Sequence, residues 1–114
     1  MSDCLFCKMI SGEIKPNTVF EDDQVLAFRD INPQAPQHIL VVPKRHIATL
    51  NDVAEDDAWL IGRLYLTAKQ IAANEGFAER GYRTLINCNR DGGQTVFHLH
   101  LHLLAGRPMH WPPG

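Results

Sequence analysis

The sequence predicts an α+β domain of short antiparallel strands backed by one long helix, and three observations point to it. Apolar residues recur at helical spacing over a single stretch, residues 58–75. Short runs rich in valine, isoleucine and phenylalanine, punctuated by Asp, Asn, Gly and Pro, occupy much of the remainder. Near the end, Phe97 to Leu104 reads FHLHLHLL, which places three of the six histidines on every second residue. Successive side chains of a strand point to opposite faces, so the imidazoles share one side and the leucines the other. With 114 residues the chain is expected to be one domain, 1–114, ending in an extended tail over 105–114.

Cys4 to Ile10 is a short apolar patch closed by Ser11-Gly12, which suits one or two helical turns. Thr18 to Glu21 begins a strand, Asp22-Asp23 turns the chain, and Val25 to Phe28 resumes β character. Asn32 to Pro36 interrupts it, and His38 to Pro43 (HILVVP) is a third strand, completing a small meander. Asp52-x-x-Glu55 fits a capping box ahead of the helix. In that helix Leu60, Ile61, Leu64, Ala68, Ile71 and Ala72 form one apolar face, and Gly76 supplies the stop. Gly81 to Asn87 and Val96 to Leu104 are expected to pair as a hairpin across the turn Asn89 to Gly93. The last segment, RPMHWPPG, contains three prolines and should be extended.

A formal net charge of -2 gives no basic field to attract nucleic acid, so no nucleic-acid partner is expected. No apolar run approaches the ~20 residues of a membrane span, and Met1-Ser2-Asp3-Cys4 lacks the layout of a signal peptide. A cytoplasmic protein without a membrane partner is therefore expected. In a reducing compartment Cys4-x-x-Cys7 reads better as a metal or redox pair than as a disulfide, with Cys88 a small core residue.

A single histidine on a strand is ordinarily a satisfied polar group. Three in alternation weaken packing on that face, so their nitrogens should have a use. Metal chelation is one candidate, but alternate residues lie ~6.5–7 Å apart along a strand. Two neighbours can share an ion; all three hardly can. Phosphorus chemistry is the other candidate, with a neutral imidazole attacking a phosphate ester while neighbouring donors stabilise the charged oxygens. With an unperturbed pKa near 6.5, most histidine is neutral at pH 7. The adjacent Gly92-Gly93-Gln94-Thr95 would bring backbone N–H groups and two side-chain donors to phosphate oxygens, although a plain hairpin turn explains the glycines equally well.

The segment HLHLHLL at 98–104 resembles the motif of the histidine triad (HIT) family, His-φ-His-φ-His-φ-φ with φ apolar. FEDD at 20–23, LAFRDINPQAP at 26–36, HILVVPK at 38–44 and DGGQTVFHLHLHLLAGRPMHWPPG at 91–114 resemble its Hint branch, so the similarity covers nearly the whole chain. The resemblance implies a five-stranded antiparallel sheet, a homodimer with a continuous ten-stranded sheet, and hydrolysis of purine nucleoside phosphoramidates and acyl-adenylates through a nucleotidyl-histidine intermediate, with AMP or GMP as product. It assigns His100 as nucleophile, His102 to the phosphoryl oxygens and leaving group, His98 as a brace, and His38 to the hydrogen-bond network. Asn87, Gly93 and Thr95 match phosphate-contacting positions, joined by Gln94 from the turn reading. Asp30 matches the ribose carboxylate, and Leu5, Phe6, Met9, Phe28, Ile31 and Leu40 match the purine pocket. Trp111 matches a tail position near the partner subunit's site. No cofactor is implied for catalysis, but Cys4 and Cys7 resemble those of zinc-bearing members, where His46 and His98 would complete a structural site. Thr95 replaces a serine frequent in the branch. Two alternatives stand beside this reading: a dinucleoside polyphosphate hydrolase, and a purine nucleotide-binding module without catalysis.

Overall fold

Alternating residues along each central strand divide the apolar side chains between two faces, and each face is covered by a helix. The computed structural model describes residues 3–114; Met1 and Ser2, on which the leader reading partly depends, lie outside the described residues. In chain order come α1 (Leu5–Ile10), β1 (Thr18–Glu21), β2 (Val25–Arg29), β3 (Gln37–Pro43), two 3-10 turns (Leu50–Asp52 and Glu55–Asp57), α2 (Ala58–Glu75), β4 (Arg83–Leu85), α3 (Asn89–Gly92) and β5 (Leu101–Ala105). The described strands form one antiparallel sheet in the order β1-β2-β3-β5-β4.

On one face Val25, Ala27, Ile39, Val41, Leu99, Leu101 and Leu103 pack against Leu60, Leu64, Ala68, Ile71 and Ala72 of α2. On the other, Leu26, Phe28, Leu40 and Val42 form a smaller cluster with Phe6 of α1. Each fully buried leucine contributes about 1.5–3 kcal/mol of transfer free energy, so the larger cluster anchors the sheet. The predicted helix limits match α2, and Gly76 closes it in the left-handed conformation with φ 86°.

Four details differ from expectation. The capping box forms one step earlier: Thr49 Oγ1 accepts from Asn51 N–H at 3.1 Å, and Asp52 Oδ2 accepts from Thr49 N–H at 3.1 Å. Asp52 is thus engaged with Thr49, and Asp57 takes the next orphan donor, Ala54 N–H, at 3.1 Å. β4 and β5 do pair, with Leu85 opposite His102, but the tight hairpin is replaced by a longer connection containing the single turn of α3. β5 also begins only at Leu101, because Leu99 N–H bonds Ile47 O at 2.7 Å and Pro43 O is taken by the His98 ring. Cys88 is half-buried and not part of the core.

Leu64 is fully enclosed, so its truncation should leave a cavity between α2 and the sheet. Leu64→Ala is expected to lower unfolding free energy by about 2–5 kcal/mol, read from the denaturant midpoint at unchanged m-value.

Candidate active site

With Leu99, Leu101 and Leu103 turned toward α2, His98, His100 and His102 face the side on which α1 lies. His98, His100 and His38 are buried and His102 is half-buried. Phe6 meets His100 edge-on, with ring centroids 5.1 Å apart and an interplanar angle of 84°, and also contacts His98 and Phe28.

The partners of each ring dictate where its proton sits. A carbonyl only accepts, so the 2.7 Å contact of His100 Nδ1 with His98 O places a proton on Nδ1 and leaves a lone pair on Nε2 of the neutral ring. The same logic gives His98 a proton on Nε2, which donates to Pro43 O at 2.8 Å, and a lone pair on Nδ1. Gln34 N–H donates to His38 Nδ1 at 3.0 Å, so the proton of His38 is on Nε2. That Nε2–H donates to His102 Nδ1 at 2.9 Å, with Asp30 Oδ2 3.5 Å away. His102 consequently carries its proton on Nε2, a buried atom with no hydrogen-bond partner among the described residues. A nucleophilic nitrogen and an unused donor therefore sit on adjacent rings whose centroids are 4.9 Å apart.

Burial pushes all four of these imidazoles below the usual histidine range, since desolvation disfavours the cation. For His102, burial followed by the neighbouring His100 and His38 lowers the pKa to about 4, with the Asp30 carboxylate opposing. At neutral pH the row is uncharged, as a nucleophile requires.

Gly93 caps α3 with φ 82°, a conformation that favours glycine, and open space surrounds the position of a side chain there. Thr95 is exposed, and Asn87 lies two residues beyond Leu85, the strand partner of His102. Gln94 departs from its expected role. Its Nε2 donates to Ala48 O at 2.8 Å and Val96 O at 3.1 Å, and its Oε1 accepts from Asn89 N–H at 2.9 Å. A side chain so committed braces the turn and is not available as a phosphate donor.

Phe6, Phe28 and Leu40 form the apolar floor, with Met9 packed against it. Leu5 and Ile31 lie outside that floor: Leu5 is exposed, and Ile31 is 96% accessible. Asp30 is half-buried, its Oδ1 accepting from Asn32 N–H at 2.9 Å. Trp111 is 83% exposed, and it lies outside the contacts that join the histidine row among the described residues.

On the far side of His98 the donors of Cys4, Cys7, His46 and His98 converge, all within 4.8 Å of one another. Cys4 Sγ and His98 Nδ1 are 3.3 Å apart, Cys7 Sγ and His46 Nδ1 3.3 Å, and the two Nδ1 atoms 3.1 Å. A tetrahedron of sulfur and nitrogen ligands at zinc bond lengths has edges of roughly 3.3–3.8 Å. The Cys4–His98 and Cys7–His46 separations of 3.3 Å and the Cys7–His98 separation of 3.6 Å lie in that range, the two Nδ1 atoms are slightly closer, and His98 aims its unprotonated nitrogen into the cluster.

A HIT domain model matches residues 11–109, which include the histidine row and the strands that position it. The chain belongs to the HIT domain family. It is 50% identical over 107 residues to the purine nucleoside phosphoramidase of Escherichia coli, a match spanning 94% of this chain and 90% of that protein. Among solved structures it is similar to a HIT family hydrolase from Legionella pneumophila, with TM-score 0.96, 57% identity and coverage of 98% of this chain and 100% of that one. A histidine triad protein from Clostridium difficile matches with TM-score 0.94 and 46% identity over 96% of both chains. Among the described residues of this HIT protein, no helix is long and apolar enough to cross a membrane.

The groups that orient the HIT histidines are mostly backbone: His98 O, Pro43 O and Gln34 N–H. The resemblance anticipates the bracing carbonyl of His98, but sequence reading misses Pro43 O and Gln34 N–H, because a main-chain acceptor or donor carries no residue signature.

Burial of His102 as a neutral ring ties stability to pH. The unfolded chain binds the proton near pH 6.5 and the folded chain near 4, so stability rises with pH across that interval and is lost on acidification through it. The melting temperature should fall as pH drops below 6.5. His102→Ala should show a shallower decline, and identical slopes in the two proteins would exclude this contribution.

Proposed function

We propose that this protein is a hydrolase that cleaves purine nucleoside phosphoramidates, releasing an amine and AMP or GMP, and that it also accepts acyl-adenylates. The observation that carries the reading is the adjacent pair formed by the His100 Nε2 lone pair and the unpartnered His102 Nε2–H. The 50% identity to an E. coli protein named for that activity supports the substrate class.

In this mechanism His100 Nε2 attacks phosphorus while the bond from phosphorus to the leaving nitrogen breaks. The electron pair departs with the amine, toward which His102 Nε2–H donates. His100 becomes a cationic nucleotidyl-imidazole, and its Nδ1–H···O=C bond to His98 tightens as charge develops. Water then attacks the same phosphorus, giving its proton to His102 Nε2 in place of the one the amine carried away, and the P–N bond to His100 breaks, returning the electron pair to Nε2 and releasing the nucleotide. For an acyl-adenylate the leaving atom is oxygen. Gly93, Asn87 and Thr95 would hold the phosphoryl oxygens, Asp30 the ribose hydroxyls, and Phe6, Met9, Phe28 and Leu40 the purine.

No cofactor enters these steps. Cys4, Cys7, His46 and His98 would hold a zinc ion as four protein ligands, a closed set that supplies a cross-link between α1, the segment after β3 and the histidine row. Homodimerisation is a further part of the reading. The outer edge of β4 has no partner strand among the described residues, and exposed Trp59 and Leu66 lie two turns apart on one face of α2. A second copy would cover both and continue the sheet to ten strands.

Turnover of adenosine phosphoramidate by His100→Ala should fall by at least ~10³-fold, with no acid-labile nucleotidyl adduct trapped on the variant. Comparable rates in wild type and variant would sink the mechanism. Purified wild-type protein should contain about one zinc per chain, and Cys7→Ser should lose it together with thermal stability. Zinc-free protein after metal-replete expression would remove the metal assignment and leave the catalytic one intact.

A further inference from the structure

The hydrogen-bonded pair formed by His38 and His102 has two possible directions. In one, His38 Nε2–H donates and His102 carries its proton on Nε2, facing the site. In the other, the His38 proton sits on Nδ1, His102 Nδ1–H donates back, and His102 Nε2 becomes a lone pair with nothing to give a leaving group. The two rings alone do not choose between them. The choice is made by Gln34 N–H, which donates to His38 Nδ1 at 3.0 Å and so requires a lone pair there. Asp30 Oδ2, 3.5 Å from His38 Nε2, favours the same direction.

Gln34 lies in an exposed loop, so something must hold its N–H in place. Within the loop, Asp30 Oδ1 accepts from Asn32 N–H at 2.9 Å, and Gln34 Nε2 donates to Asn32 O at 3.0 Å. From outside it, Arg107 Nη2 donates to Gln34 O at 3.0 Å, while Nη1 donates to Pro108 O at 3.1 Å. Gly106 makes that reach possible. Its φ is +97°, and an added Cβ would lie 2.7 Å from Pro36 Cβ, so the tail approaches the loop closely only with glycine at this position.

We propose that Arg107, through Gln34 and His38, is a positioning residue that fixes the tautomer of His102 and thereby its capacity to donate to the leaving group. The chain runs Arg107 to Gln34 O, Gln34 N–H to His38 Nδ1, and His38 Nε2–H to His102 Nδ1. The consequence for catalysis rests on the function proposed above; the tautomer itself does not.

Arg107→Ala tests both parts. Nitrogen-15 spectra of histidine-labelled protein at pH 7.5 should show both His38 and His102 protonated on Nε2 in the wild type, and a mixture of tautomers in the variant. Unchanged imidazole shifts in the variant would overturn the proposal whatever the protein's activity. In kinetics, the kcat for an alkylamine phosphoramidate, whose poor leaving group needs the donor, should fall about 3- to 10-fold. An aryl ester of AMP with an activated leaving group should stay within about twofold. Equal losses on both would mark a merely structural role and overturn it. Arg107→Lys keeps one donor and should recover part of the alkylamine rate, and Gly106→Ala should behave like Arg107→Ala. Arg80→Ala removes a neighbouring guanidinium of the same surface cleft and should leave both rates unchanged. If the wild type turns over neither substrate, the hydrolase reading fails while the spectra still decide the tautomer.

Discussion

The burial of Leu99, Leu101 and Leu103 beneath α2 is the constraint on which the remaining architecture depends. These side chains are fully enclosed, and slipping the segment by one residue would drive imidazoles into the helix-facing core and leucines out of it. The desolvation of three polar rings would then be added to the lost apolar contacts, so register is strongly specified. The histidines are ordered because their leucine neighbours are.

From that register the three imidazoles acquire different work through their partners. His98 is tied to Pro43 O and turns its other nitrogen toward two cysteines and His46. His100 is tied to His98 O and presents Nε2. His102 is tied to His38, which is tied in turn to the loop before β3. Residue 98 links two proposed functions: its ring belongs to the candidate metal cluster, and its carbonyl orients His100, the proposed nucleophile. Phe6 makes a second link, since α1 is capped by Cys4 and carries the ring that packs edge-on against His100. The cluster and the histidine row are therefore mechanically joined, although they would do different chemistry.

The same low-dielectric surroundings that would suit the proposed nucleophile oppose the fold. Burial keeps His100 neutral, hence nucleophilic, and keeps His102 neutral well into the acidic range. A substrate phosphate would bring negative charge beside these rings and favour proton sharing by them. The neutral row is thus kept at the expense of acid stability.

Much of this was legible in the chain before folding, for reasons of periodicity and composition. Heptad-like apolar spacing sets α2 to its observed limits, and β-branched runs locate β1, β2 and β3, since local patterns report local structure directly. The row at 98, 100 and 102 announces its own shared face. The tertiary structure alone decided what depends on distant main-chain groups. It delayed the start of β5 to Leu101, because Ile47 and Pro43 take the bonds a longer ladder would need. It assigned Gln94 to bracing the turn and left Ile31 in solvent. It also brought Cys4, Cys7, His46 and His98 within 4.8 Å, and set Gln34 N–H against His38. A sequence names side chains; the direction of a hydrogen bond between two identical rings is settled only by which carbonyl or N–H the fold places beside each one.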